Sequence, residues 1–110
     1  MCGIIGITSS KPVSSAIINS LRKLEYRGYD SAGLATLSEG IINEVKSEGR
    51  VENLEKNIAI KNMQGSVGIG HVRWATHGIP NTINAHPHSS NNVSIVHNGI
   101  IENSTILKKF

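Results

Sequence analysis

Apolar residues open the chain in a short run and then recur at helical spacing. Residues 2–8 are rich in isoleucine and glycine, which predicts a buried strand that starts almost at the N-terminus. Pro12 follows a polar break and suits the first turn of a helix. Apolar side chains then recur every three or four positions over residues 13–24. The sequence therefore predicts an amphipathic helix that ends near Tyr26.

The middle of the chain predicts a loop, three strands and a short helix. Residues 27–33 are polar and contain glycines, which indicates a loop. Residues 34–37 and 41–45 have the composition of two strands on either side of a turn. Residues 67–73 predict another strand, and its glycines indicate a close approach by another backbone. A short helix is predicted by three apolar residues at helical spacing: Val51, Leu54 and Ile58.

The C-terminal part predicts a long loop, a strand and the start of a helix. Residues 74–92 are rich in turn-forming residues, and ordered loops of this length are usually functional. Residues 93–97 predict a strand, which Asn98 and Gly99 close. Residues 102–110 have the pattern of a helix that has just begun, so we expect a fragment of a longer protein; a short, fraying terminal helix is the alternative. Helices and strands mix without regular alternation, which predicts the α+β fold class.

Composition narrows the functional classes that fit the chain. Its 110 residues make at most one domain. The net charge is +3, but Lys and Arg never form a run longer than two, which indicates a solvated surface and no nucleic-acid partner. The single cysteine excludes an intrachain disulfide and fits a reducing compartment. Without a signal-peptide pattern or an apolar run of about twenty residues, a cytoplasmic protein with no membrane contact is expected.

Cys2 is the first candidate for catalysis because of its position. An initiator methionine before a small residue is routinely removed, which would leave a thiol and a free α-amine on the same residue. An α-amine has a reference pKa of about 7.7 to 8.0, so it is partly neutral near pH 7 and can accept a proton. Cys2 would then be a nucleophile with its own base. A buried, inert cysteine is the alternative. Gly3 follows Cys2 and would leave room for a substrate. A turn or tight packing at Gly3 is the alternative.

Two later motifs could serve a thiol that attacks an amide. Asn98 and Gly99 offer a side-chain amide and a backbone N–H, the donors that stabilise a developing oxyanion. A hairpin turn is the alternative for this pair. Arg73 follows a predicted strand and can hold a carboxylate with two hydrogen bonds. Its neighbours could add hydrogen bonds and exclude water: Trp74, Thr76 and His77. A surface arginine beside a core tryptophan is the alternative.

The five histidines do not predict a metal site. His86 and His88 form a His-x-His pair, and the others are scattered. Zinc sites usually need three or four ligands at recognisable spacing, and the chain has no second cysteine and no His-Glu-x-x-His motif. We therefore expect hydrogen-bonding roles in the core or in loops for His71, His86 and His97.

These motifs together resemble the class II glutamine amidotransferases, a family of N-terminal-nucleophile hydrolases. The matching blocks are residues 2–6, 73–78, 84–88 and 96–103. The block at residues 24–33 is similar to the branch of the family that aminates a sugar phosphate. Amidophosphoribosyltransferases share the Cys-Gly start and the Arg and Asn-Gly blocks more loosely. Because the blocks occur in order over almost the whole chain, the resemblance is specific.

The resemblance implies a role for each candidate residue. Cys2 would attack the side-chain amide of L-glutamine, with its own α-amine as base. Asn98 and Gly99 would form the oxyanion hole, and Arg73 would hold the α-carboxylate of glutamine. No cofactor and no metal are implied. Five further residues would line or support the site: Trp74 at the exit for ammonia, Thr76 and His77 in the pocket, and His86 and His97 behind it.

The resemblance also implies a larger protein. The family fold is a four-layer α/β/β/α sandwich with two antiparallel sheets, of which residues 1–110 would be the N-terminal half. The acidic residue that binds the α-amine of glutamine in this family would lie beyond residue 110. The rest of the glutaminase domain and sugar isomerase domains would complete the protein. Those domains would accept ammonia and fructose 6-phosphate, and the full-length enzyme would be a homodimer.

Two other hypotheses stay open at this point. A non-catalytic remnant is suggested by the helical pattern that breaks off at residue 110. A small metal- or nucleic-acid-binding module is suggested by the histidines and the positive charge. Glutamine hydrolysis by the chain would exclude the first. Absence of bound zinc and of salt-dependent DNA retention would exclude the second.

Overall fold

The computed structural model describes residues 3–27, 30–57, 62–73 and 85–97. The elements within these ranges are β1 (Gly3–Thr8), α1 (Ser14–Leu24), β2 (Ser31–Ser38), β3 (Ile41–Glu48), α2 (Val51–Glu55), β4 (Val67–Arg73), β5 (His88–Ser90) and β6 (Val93–Ile95). A 3-10 turn, Glu25–Arg27, extends α1. This mixture of antiparallel strands and helices confirms the α+β class.

Four of these strands form one antiparallel sheet in the order β1-β4-β2-β3. Gly3 of β1 pairs with Val72, and Ser31 of β2 pairs with Arg73. The C-terminal end of β4 therefore lies between the first residues of β1 and β2. A two-residue turn joins β2 to β3, and both its residues, Glu39 and Gly40, have positive φ, which suits the twist of a tight hairpin. β5 and β6 form a separate hairpin.

The helix α1 covers one face of the sheet, which we call the first face. Val13, Ile17 and Leu21 are at most 1% exposed and form the centre of the core. A Cβ added to Gly70 of β4 would lie 2.5 Å from Ile17 Cγ2. The glycines of β4 thus admit helix side chains. The prediction of a close approach by another backbone was wrong for Gly70.

The opposite face of the sheet, the second face, is polar at one end and apolar at the other. Side chains alternate across a strand, so Arg73 and His71 share this face. At the other end the apolar side chains are partly uncovered: Leu37 and Val67 are each 44% exposed. The β5–β6 hairpin adds a small second layer here. The Ser89 hydroxyl donates a hydrogen bond to the Glu44 carboxylate of β3.

Several element boundaries differ from the sequence prediction, and the strand predicted over residues 93–97 ends at Ile95. Residues 31–33 were predicted as loop, but β2 begins at Ser31 because its backbone pairs with both β3 and β4. β3 continues past residue 45 to Glu48 because its backbone pairs with residues 31–33 of β2. β5 lies inside the predicted loop 74–92, where Asn91 adopts a φ of 49° and turns the chain back. Asparagine tolerates this left-handed conformation better than most residues.

The helices found are short. Among the described residues, none of them is both long and apolar enough to cross a membrane.

Candidate active site

Arg73, a candidate site residue within the described ranges, is the last residue of β4. Its backbone carbonyl accepts a hydrogen bond of 2.7 Å from the Asp30 N–H, which fixes the strand end. Its side chain is on the second face, and the residue is only 8% exposed. A guanidinium in such a water-poor setting interacts strongly with an anion. The preceding residue, Val72, pairs with Gly3, so the chain neighbour of Cys2 lies on the adjacent strand.

Gly3 serves packing rather than substrate access. A Cβ added there would lie 2.8 Å from Leu24 Cδ1 and 2.9 Å from Leu24 Cβ. Any larger residue would therefore push the start of β1 away from α1. Of the two interpretations of Gly3, the structure supports tight packing.

Buried polar atoms gather at the end of the sheet where Arg73 lies. Both carboxylate oxygens of Asp30 and the hydroxyl of Ser31 are buried, and the structure describes no hydrogen-bond partner for them. Ser31 is the β2 partner of Arg73. Buried polar atoms are normally satisfied, so we expect partners for these three atoms from outside the described residues or from a ligand. Asp30 and Ser31 belong to the block 24–33 that carries the family resemblance, but the sequence predicted no role in the site for either residue.

Three histidines pack together beside Arg73. The rings of His71 and His86 are stacked with their centroids 4.3 Å apart. The ring of His88 is tilted on His86 at 4.5 Å. His71 is fully buried. Sequence reasoning expected support from His71 and His86 through hydrogen bonds, whereas the structure brings their rings into stacking contact.

The charge around this cluster keeps His86 neutral. Burial, as the largest cause, and then the neighbours His71, His88, Arg73 and Lys46 together lower the pKa of His86 from 6.5 to about 4. Burial, and then Lys46, also lowers the pKa of His88. With His86 neutral, the positive charge around it comes from side chains such as Arg73 and Lys46.

The remaining candidate residues lie outside the described ranges. They are Cys2, Trp74, Thr76, His77, Asn98 and Gly99. Their roles therefore stay predictions from the sequence. His97 is described and exposed, so a role in the core does not fit it.

In residues 3–27, 30–57, 62–73 and 85–97, no group of three or more His, Cys, Asp or Glu side chains is arranged to hold a metal ion. Stacked rings, as in the His71 and His86 pair, direct their faces rather than their nitrogen lone pairs at each other.

Related proteins carry this sequence at their N-termini. The chain is 53% identical, over 99% of its length, to glutamine--fructose-6-phosphate aminotransferase [isomerizing] of Agrobacterium fabrum, and it covers 18% of that protein. It is 56% identical, over 94% of its length, to the protein of the same name from Clostridium acetobutylicum, of which it covers 17%. The chain thus spans less than a fifth of these relatives and matches their N-terminal end. No protein-family model matches it.

Two solved structures share the fold. One is the glutamine phosphoribosylpyrophosphate amidotransferase from B. subtilis in complex with ADP and GMP, with a TM-score of 0.80 and 27% identity. The other is described as the allosteric regulatory enzyme of purine biosynthesis, with a TM-score of 0.83 and 28% identity. Each likeness covers 99% of this chain and 24% of the other. These likenesses confirm the predicted N-terminal-nucleophile amidotransferase fold, of which the chain is the N-terminal part.

Proposed function

We propose that this chain, a homologue of the N-terminal segment of glutamine–fructose-6-phosphate aminotransferases, contributes the nucleophile and the carboxylate ligand of a glutamine-hydrolysing site. The observation that carries the proposal is the juxtaposition of two strand ends. Arg73 closes β4, and Gly3 opens the neighbouring strand β1 directly after Cys2. The residue that follows Cys2 in the chain and the carboxylate-binding candidate Arg73 thus lie at one end of one sheet.

The chemistry assigned to Cys2 begins with removal of Met1. The α-amine of Cys2 takes the thiol proton, and Sγ attacks the side-chain carbonyl carbon of glutamine. The C–N bond breaks, ammonia leaves with the proton returned by the α-ammonium, and a γ-glutamyl thioester remains. Water then hydrolyses the thioester to release glutamate and restore the thiol. The sum is glutamine and water giving glutamate and ammonia, with no cofactor.

The other candidates are assigned to substrate binding and charge stabilisation. Arg73 holds the α-carboxylate of glutamine through a charge-assisted, two-bond contact. Asn98 and Gly99 stabilise the oxyanion that forms during attack. Support for these three comes from the residue types and their order, and for Arg73 also from its burial at the strand end. The residues that complete the pocket are Trp74, Thr76 and His77.

In the whole protein, the ammonia is used to convert fructose 6-phosphate into glucosamine 6-phosphate. The proposal treats residues 1–110 as the N-terminal part of the glutaminase domain. Its partners within the protein are the rest of that domain and the sugar isomerase domains, and a homodimer in the cytoplasm is the proposed state. The support is the high identity to relatives whose names state this aminotransferase activity.

The proposal is tested by measuring glutamate release from glutamine by the full-length protein expressed from its gene. Wild-type protein should hydrolyse glutamine, whereas Cys2→Ala should reduce the rate by a factor on the order of a thousand or more, as for other lost nucleophiles. The exposed Ser10 of the same N-terminal region provides a matched control, and Ser10→Ala should leave the rate unchanged. Undiminished hydrolysis in Cys2→Ala would contradict the assignment of the nucleophile.

A further inference from the structure

We propose that His86 is a positioning residue for Arg73. Its backbone and its ring hold residues 85–88 against the second face of the sheet, and this contact fixes the flank of the site on which the Arg73 guanidinium lies. The inference rests on the proposed function, in which Arg73 binds the α-carboxylate of glutamine. His86 acts through its neighbours and is not assigned a contact with the substrate.

The backbone contact is made at Gly33 of β2. A Cβ added to Gly33 would overlap the carbonyl oxygen of His86 and lie 3.1 Å from Pro87 Cδ. Gly33 is the cross-strand partner of His71, and the next pair on this face is Ser31 with Arg73. Ala85 and Pro87, on either side of His86, are buried. Residues 85–88 are therefore seated directly on the sheet, one cross-strand pair away from Arg73.

The ring contact is made at His71 of β4. His71 precedes Arg73 by two residues, so both side chains lie on the second face about 7 Å apart along the strand. The His86 ring stacks on the His71 ring at 4.3 Å with an interplanar angle of 26°. Removing the His86 ring would free one side of His71 and open space beside the guanidinium.

The role of the ring depends on packing and neutrality rather than on a hydrogen bond. His86 Nδ1 is buried, and the structure describes no hydrogen-bond partner for it. The groups that face His86 are His71 and Arg73 from β4, His88 from β5, and Lys46 from β3. One carboxylate lies nearby, that of Glu44, and it pairs with Lys46 at 3.4 Å.

A protonated His86 would therefore add a further positive charge beside Arg73 and Lys46. Burial and these neighbours lower its pKa to about 4, so the ring is neutral at pH 7. Because the described residues include no partner for the buried Nδ1, an apolar ring of similar shape should keep the packing on His71.

The first test compares two substitutions of His86 in the glutamine-hydrolysis assay. His86→Ala should raise KM for glutamine about tenfold, the upper range for loss of a stacked ring pair, and change kcat by less than about twofold. His86→Phe keeps a ring on His71 and should restore KM to within about threefold of wild type. A purely structural defect in His86→Ala would lower the fraction of active protein and thus the apparent kcat. If the imidazole nitrogens were needed, the KM of His86→Phe would be as high as that of His86→Ala.

The second test breaks the same contact from the side of the sheet. Gly33→Ala places a methyl group against the His86 carbonyl and should raise KM for glutamine as His86→Ala does. Gly6→Ala is the matched control, because Gly6 lies on the same face in β1 and an added Cβ there meets no described atom within 4 Å. Equal KM values in the two glycine variants would overturn the inference.

Hydrogen exchange gives a readout that does not depend on activity. The Asp30 amide donates to the Arg73 carbonyl, so its exchange rate reports the strand end that holds Arg73. Exchange should be faster in His86→Ala and return to the wild-type rate in His86→Phe. If the wild-type protein has no glutaminase activity, the proposed function is wrong. The positioning role of His86 can then still be tested by the exchange rates. Unchanged Asp30 exchange in His86→Ala, or an unchanged KM in active protein, would overturn it.

Discussion

The two faces of the four-stranded sheet are built by the same strands, yet they differ in almost every physical property. The first face is sealed by α1, and residues such as Ile17, Leu21 and Leu34 are fully buried there. The second face carries His71, Arg73 and buried polar atoms at one end, and partly exposed apolar side chains at the other. Alternation along each strand sends neighbouring residues to opposite faces, so a single strand supplies both environments.

This difference implies that one face of the sheet determines folding stability and the other determines substrate binding. Apolar burial on the first face is the dominant source of folding free energy, and it needs no charged group. The second face keeps the buried Arg73, and the described residues include no hydrogen-bond partner for some of its buried polar atoms, such as the Ser31 hydroxyl. Buried polar atoms cost stability unless they are paired. Residues of the first face should therefore control unfolding, and residues of the second face should control binding.

Of the changes that compare the two faces, Arg73→Ala on the second face should have the largest effect. Arg73→Ala should raise KM for glutamine on the order of a hundredfold or more, because it removes one partner of a buried, charge-assisted pair. Arg73→Lys keeps the charge but loses the planar two-bond geometry, so it should fall between wild type and Arg73→Ala. Steady-state glutamine hydrolysis measures both. A KM that neither change affects would remove Arg73 from the substrate site.

The first face should show the opposite behaviour. Leu21 is fully buried in α1, and Leu21→Ala should lower the free energy of unfolding by about 2 to 5 kcal/mol through lost burial and a residual cavity. The protein that remains folded should keep its KM for glutamine. Denaturant titration and a glutaminase assay on the same sample measure the two quantities. A raised KM without a loss of stability would show that the faces are not separable in this way.

The smallest effect concerns acid stability at the histidine cluster. The pKa of His86 is lowered to about 4 from 6.5, so the unfolded chain binds this proton first as the pH falls. Stability should therefore be highest above pH 6.5 and decline towards pH 4, by less than about 2 kcal/mol because solvent screens a half-buried group.

His86→Phe should make that decline shallower without abolishing it, because the pKa of His88 is lowered as well. Urea titrations at a series of pH values between 7 and 4 give the slope. If the free energy of unfolding falls with pH equally steeply in wild type and His86→Phe, a group other than His86 causes the loss of stability in acid.

The sequence predicted the first face better than the second. Helical spacing located α1 within a residue or two, since periodicity directly reflects burial on one side. The start of β2 was missed because Ser31 and Gly33 have the composition of a loop. They are strand residues because two neighbouring strands pair with them. The short β5 was missed because its exposed polar residues carry no strand signal.

For the site, the sequence predicted individual residues but not their contacts. Arg73 was identifiable because it follows an alternating strand and belongs to a motif typical of a family. The stacking of His71 on His86 joins residues fifteen positions apart through tertiary structure, and no local pattern encodes it. The close approach at Gly33 also depends on a segment far along the chain.

Trapping the covalent intermediate tests the central claim most directly. Protein as encoded is mixed with glutamine, quenched in acid within the first turnover, digested and examined by mass spectrometry. The account predicts a γ-glutamyl thioester on the peptide that begins with Cys2, with Met1 removed. It also predicts that this adduct is absent from Cys2→Ala. Glutamine hydrolysis by protein that retains Met1, or an adduct on a different residue, would contradict it.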